Sequence, residues 1–156
     1  MAYDGTIEHF AGDGVMILFN DPVPVEHHEL QALRMAVVMR GSVSALALGW
    51  RKRGFDLDFG LGIAQGYATI GTIGFEGRWD YTAIGTVTNL AARLCAEARP
   101  GQILIAQRLV AAVEDLVEVE PVGDLHLKGF HRPVPAFNVV RLKAPQSDPD
   151  SVARPV

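Results

Sequence analysis

Three places in the chain carry side chains whose type and spacing could do chemistry. Asp13 stands between Gly12 and Gly14. A carboxylate at the tip of so tight a turn projects without crowding and could hold a hard cation, which prefers oxygen ligands. Asp-Gly is also ordinary turn chemistry, and that alone accounts for both residues. Asn89 and Arg93 are four apart in a segment that reads as helix, so they share a face. An amide beside a guanidinium suits a ribose hydroxyl and a phosphoryl group, the latter matching the guanidinium fork. The competing use of Arg93 is a surface ion pair with Glu97, in the weaker basic-first orientation. Lys128, in Leu127-Lys128-Gly129-Phe130, could reach a polyphosphate, although an exposed lysine needs no further explanation. His27 and His28 read as solvated at a helix start, His126 and His131 are unpaired in sequence, none of the four reads as functional, and Trp50 and Trp79 read as packing residues.

The elements that must position these groups follow from apolar periodicity. Thr6 to Ala11 and Val15 to Phe19 are strand-like runs joined by Gly12-Asp13-Gly14, a strong hairpin signal because both turn residues tolerate positive φ. Leu30, Leu33, Val37, Ala45 and Leu48 recur at helical spacing between about Glu26 and Arg51, with Gly54 as terminator after a basic end. Phe55, Leu57, Phe59, Leu61 and Ile63 alternate with small or polar residues, which predicts one long strand. Tyr67 to Ile73 follows as a strand, and Trp79-Asp80-Tyr81 leads into another. Gly85 to Ala98 reads as helix, Ile103 to Ile105 as strand and Leu109 to Val113 as short helix. Val117, Val119, Leu125, Leu127 and Val134 to Val140 supply the last strands. The order β-β-α-β-β-α-β-α-β-β predicts an α+β fold with helices mainly on one face of the sheet. Residues 144–156 are expected to form a disordered tail.

Composition bounds the partners. The chain has 156 residues, 49% apolar and 21% charged, which is the profile of a folded domain able to bury its own core. Fourteen basic against eighteen acidic side chains give −4, which argues against nucleic acid as the main partner. The single cysteine, Cys95, excludes an internal disulfide, and no zinc-ligand spacing is present. Phe59 to Phe75 lacks charge but holds five glycines, so it reads as strands and a turn rather than a membrane span. No membrane contact is expected, and the cytoplasm is the default location.

Taken together, these segments resemble the class III adenylate and guanylate cyclases. Gly5-Thr6-Ile7-Glu8-His9-Phe10-Ala11-Gly12-Asp13-Gly14-Val15-Met16, followed by Phe19 and Pro22, is similar to their metal-binding hairpin. Asp80-Tyr81-Thr82-Ala83-Ile84-Gly85 with Thr88-Asn89-Leu90-Ala91-Ala92-Arg93-Leu94 resembles their most characteristic segment. Gly62 to Gly66 with Gly71 to Gly74 matches the preceding strand pair, and Leu127-Lys128-Gly129 with Pro133-Val134 the end of the domain. The likeness runs in order from about residue 5 to residue 142, within a domain read as 1–143.

The resemblance implies a ferredoxin-like cyclase fold, with a mostly antiparallel sheet and helices packed on it. It implies a head-to-tail homodimer with active sites at the interface, where the ribose 3′-hydroxyl of ATP or GTP attacks the α-phosphate. Cyclic nucleotide and pyrophosphate are the products, assisted by two Mg2+ or Mn2+ ions. Position by position, it makes Asp13 a metal ligand, Asn89 the ribose-orienting group and Arg93 the stabiliser of the α-phosphoryl transition state. Lys128 takes the terminal-phosphate role, while His9 and Thr82 occupy the positions that read the purine edge. Asp13 of one chain would face the other five residues of its partner.

Two departures shape the expectation. The family's first metal aspartate lies in an earlier strand, ahead of one or two helices, and neither that strand nor those helices has a counterpart here. Asp4 is too near the hairpin to replace it. His9 stands where adenylate cyclases of this type have lysine and guanylate cyclases glutamate. An imidazole can donate or accept, and Thr82 tilts the reading toward adenine. The alternative is a degenerate cyclase-homology domain that dimerises or regulates without turnover. A diguanylate cyclase is disfavoured because its Gly-Gly-acidic-Glu-Phe hairpin is absent. An RNA-binding sheet is disfavoured by the acidic balance.

Overall fold

A computed structural model describes residues 3–144. The tail expected at 144–156 therefore lies almost wholly outside the described residues. Strands β1 (Thr6–Ala11) and β2 (Gly14–Leu18) form the anticipated hairpin, and α1 (His28–Arg51) follows. Then come β3 (Leu61–Ile63), β4 (Thr69–Phe75), β5 (Arg78–Ile84), α2 (Thr86–Glu97), β6 (Ile103–Ala106), α3 (Gln107–Val113), β7 (Val117–Leu125) and β8 (Val134–Leu142).

The strands divide into three sheets: β1-β2, β4-β5, and a central sheet ordered β3-β6-β8-β7. Within the central sheet only β3 and β6 run parallel. Ile103-Leu104-Ile105-Ala106 is buried along its whole length, as a strand covered on both faces must be. Ile103 and Ile105 join Leu33 and Ala36 of α1 and Leu109 and Val113 of α3. Leu104 and Ala106 point the other way, toward Leu94 of α2, Leu127 and Ala136. Helices therefore cover both faces, not mainly one. Alternation along β6 leaves apolar side chains on each side that need cover.

The long strand expected at Phe55–Ile63 is also corrected. Only Leu61–Ile63 is strand, because only that stretch finds a partner, in β6. Phe55 and Leu57 remain 60% and 50% exposed. Similarly, α1 packs chiefly through its first half, with Leu33 and Ala36 fully buried, while in its second half Ala47 is buried but Leu46 and Leu48 stay exposed. Arg40 fixes α1 across the sheet by donating to the Val139 and Val140 carbonyls at 2.7 and 2.8 Å. By length and composition α1 is apolar enough to cross a membrane, but these contacts seat it on the domain's own sheet. Gly54 ends the segment as expected, at φ +85.

Candidate functional site

Helix α2 is placed by a close approach. Gly62 of β3 lies so near α2 that an added Cβ would meet the Cys95 nitrogen at 2.2 Å and the Ala91 carbonyl at 2.4 Å. Only glycine permits this spacing. At the other end of α2, the Thr88 hydroxyl donates to the Gly85 carbonyl at 2.8 Å. Leu94 turns inward and is fully buried. The opposite side of the helix then presents Thr86, Asn89 and Arg93, three and four residues apart, to a single cavity.

Lys128 closes that cavity from the β7–β8 connection. Leu127 is buried, and the Phe130 N–H returns to its carbonyl at 3.0 Å. Gly129 takes φ +90 at the third position of the turn, where an L side chain would be strained. Lys128 at the second position is thereby held out over the cavity, which has a volume of about 460 Å³. Gly129, Phe130 and His131 complete its lining. Asn89, Arg93 and Lys128 have no hydrogen-bond or ion-pair partner among the described residues, and the Arg93–Glu97 pair does not form. Two cations and an amide thus converge on open space. That arrangement suits an anion flanked by hydroxyls, such as the polyphosphate and ribose of a nucleotide.

A second, adjoining hollow of about 340 Å³ shares Thr86 and Phe130 with the first. Arg108 and Tyr67 both line it, and the Arg108 guanidinium lies 5.5 Å from the Tyr67 ring centroid.

His9 and Thr82 are brought together through a residue that sequence reasoning passed over. The Thr82 hydroxyl donates to one oxygen of Glu8, and His9 Nδ1 meets the other. The Glu8 side chain is only 4% exposed, against 52% for His9. Burial alone would raise its pKa, but the hydrogen bonds from Thr82 and His9, the His9 charge and the Ala83 N–H outweigh this. The carboxyl is held below its ordinary value of 4.5. Nothing in the alternation of β1 announces this contact, since neighbouring strand residues point to opposite faces. The register shift between Ile7 and His9 leaves Glu8 unpaired, as in a bulge, and that break in alternation re-aims the two side chains. Phe130 was also passed over, and His131 carried no signal of function in its spacing, yet both line the cavity beside the turn at Gly129.

Asp13 sits apart, exposed at the tip of the first hairpin and outside the cavity lining. The tip needs positive φ only at Gly12 (φ 63), so turn stereochemistry explains the glycine and leaves Asp13 unconstrained. Among the described residues no group of three or more His, Cys, Asp or Glu side chains could hold a metal ion. Asp13 fits the narrower need of a Mg2+ or Mn2+ ion carried chiefly by substrate phosphates, which takes one or two carboxylates from the protein.

Comparison with known proteins places this geometry. Residues 7–140 match the family model described as Adenylate and Guanylate cyclase catalytic domain. The chain is 32% identical over 142 residues to Adenylate cyclase 1 of Rhizobium meliloti, covering 89% of itself but 21% of that protein. The crystal structure of the adenylyl cyclase CyaB from P. aeruginosa superposes with a TM-score of 0.79 at 34% identity, over 90% of this chain and 74% of that one. The guanylyl cyclase Cya2 gives 0.83 at 30% identity, over 93% and 74%. The chain thus spans about a fifth of the length of the curated relative, and its likeness is shared between an adenylyl and a guanylyl cyclase.

Proposed function

The chain belongs to the class III adenylate and guanylate cyclase catalytic domain family, and from that premise we propose that it cyclises ATP in preference to GTP. The observation that carries the reading is the convergence of Asn89, Arg93 and Lys128 on one cavity with no internal partner to satisfy them. In this reading the Asn89 amide holds the ribose and aims its 3′-hydroxyl at the α-phosphorus. The new bond is from O3′ to the α-phosphorus, and the bond to the β-phosphate bridging oxygen breaks. Pyrophosphate leaves and the hydroxyl proton passes to solvent. The Arg93 fork lies where charge grows on the α-phosphoryl oxygens, and preorganised donors of this kind act most strongly in the transition state. Lys128 neutralises the departing phosphates as a mobile point charge. A bound Mg2+ or Mn2+ would supply further neutralisation of the triphosphate and acidify the 3′-hydroxyl, with Asp13 as its carboxylate. His9 and Thr82 face the purine.

The reading also includes a head-to-tail homodimer. Asp13 lies outside the cavity of its own chain, so a second copy is the means of bringing it to a triphosphate. The β4–β5 hairpin projects Ile73, Phe75, Trp79 and Tyr81, all exposed. Their register puts Ile73 and Phe75 on one face and Trp79 and Tyr81 on the other, so the arm is apolar on both sides. Such an arm supports a protein–protein contact.

The test is turnover by the whole chain with Mn2+, offered ATP and GTP separately and read by chromatography, with nucleotide binding followed in parallel by calorimetry. Cyclic AMP in excess over cyclic GMP is expected. That no group of three or more His, Cys, Asp or Glu side chains among the described residues could hold a metal ion favours one competing reading, a cyclase-homology domain that pairs without turnover. A dimeric wild type that binds neither nucleotide would establish that reading instead.

A further inference from the structure

Thr82 poses a problem for any purine-reading role, because a hydroxyl is both donor and acceptor and can rotate to suit either base. Adenine offers an exocyclic amine at the six position, a donor, where guanine offers a carbonyl, an acceptor. A freely rotating hydroxyl would serve both. The structure removes that freedom. We propose that Glu8 is the positioning residue of base selection, its buried carboxylate taking the Thr82 hydroxyl proton and the His9 Nδ1 proton so that Thr82 faces the base as acceptor only.

An ionised carboxylate can only accept. Both groups that meet it must then be donors: the Thr82 O–H points inward to Oε1, and His9 carries its proton on Nδ1 toward Oε2. The Thr82 contact anchors the carboxylate to β5, the strand that carries Thr82. With its proton committed, Thr82 keeps its lone pairs for the ligand side. They attract the adenine amine and repel the guanine carbonyl. His9 turns Nε2 to the ligand side, on a ring whose orientation the contact with Glu8 fixes. The unpaired position of Glu8 in β1 is what lets one strand deliver both Glu8 and His9 to this spot.

The inference rests on the cyclase reading above, and its decisive variant is Glu8→Gln. The replacement is isosteric. Its carbonyl oxygen can still accept from His9 Nδ1, which turns the amide NH2 toward Thr82. Thr82 must then accept from the protein and offer its proton to the base, the polarity guanine requires. The ratio of kcat/KM for ATP to that for GTP is expected to fall by at least about tenfold, the value of one correctly or wrongly polarised buried hydrogen bond. Most of that change should come as a gain for GTP. An equal loss with both nucleotides would mark Glu8 as merely structural and overturn the proposal.

A second readout needs no turnover. Long-range 1H–15N spectra of the 15N-histidine-labelled chain should show the His9 proton on Nδ1 in the wild type and that preference lost in Glu8→Ala. An unchanged Nδ1 proton in Glu8→Ala would also overturn the proposal. If the wild type shows the fixed tautomer but neither binds nor turns over ATP or GTP, the cyclase reading fails, and base selection by Glu8 is overturned with it.

Discussion

Gly62 and Cys95 approach until a Cβ on the glycine would stand 2.2 Å from the Cys95 nitrogen. This contact seats α2 on β3 and so sets the direction in which Asn89 and Arg93 point. Gly62→Ala cannot be absorbed by a side-chain rotation, since the obstructing atoms are backbone. The expected cost is that of overpacking, about 1–3 kcal/mol, with a matching fall in the urea midpoint. Turnover should fall by more than the unfolded fraction accounts for, because the helix must shift away from β3. A midpoint equal to that of the wild type would mean that α2 is not seated as described.

Arg93 offers the opposite case, a residue whose loss should be felt in rate alone. It is exposed and unpaired, so Arg93→Ala should leave stability within about 0.5 kcal/mol. Its removal should lower kcat by about 10²–10³, as the loss of one preorganised donor does. Arg93→Lys should recover little, because an ammonium cannot reproduce the fork. Thermal melts beside steady-state kinetics separate the two effects. Unchanged kcat in Arg93→Ala would remove the residue from the mechanism.

Lys128 should behave differently again. Its turn holds it at the cavity mouth, where, on the proposed cyclase reading, it would meet phosphates present in substrate as well as transition state. Lys128→Ala is therefore expected to raise KM for ATP about tenfold with a smaller change in kcat, the pattern of lost uniform binding. A variant with lowered kcat and unaltered KM would place Lys128 at the reacting bond instead.

How far the sequence reveals these relationships depends on their range. The first hairpin, α1, α2 and the buried β6 are legible because each is set by local periodicity or turn chemistry. Phe55 to Phe59 has the alternation of a strand and yet is none, since alternation states which face is apolar and not whether a neighbour exists to pair with. Helices on both faces of the sheet follow from the full burial of Ile103–Ala106, which the short run alone leaves ambiguous. Asn89, Arg93 and Lys128 are readable as candidates by type, and their convergence depends on the turn at Gly129. Glu8 was hidden because the break in register that aims it is a property of the β1–β2 pairing, not of any residue in β1.

The β4–β5 arm makes a prediction about assembly. Phe75 is 71% and Trp79 63% exposed, on opposite faces of one hairpin, and neither supports the domain's own core. Replacing both with serine should leave the melting temperature of the isolated protomer nearly unchanged. The dimer proposed above should weaken by at least about tenfold in Kd, read by sedimentation equilibrium. Turnover should fall in parallel and return in part at high protein concentration. A double variant that stays dimeric would move the interface elsewhere.

Stability should respond to pH at both ends, and the signs differ. Tyr81 donates its phenolic proton to Asp21, and this bond, with some burial and the Asp21 charge, raises its pKa above the ordinary 10.0. A group with a raised folded pKa contributes stability that is whole below its unfolded value and lost as pH climbs through the folded one. Glu8 is the mirror image. Its folded pKa lies below 4.5, so its contribution is whole above that value and lost as pH falls through the folded pKa. Denaturant midpoints from acid to alkaline pH should therefore decline at each limb. Tyr81→Phe should flatten the alkaline limb alone, and Glu8→Gln the acid limb alone. Both substitutions lie on the contacts that join the first hairpin and its following loop to β5, but Tyr81→Phe deletes its contact whereas the amide of Glu8→Gln keeps both partners. If Tyr81→Phe left the alkaline limb as steep as before, the Tyr81–Asp21 bond would not persist in solution.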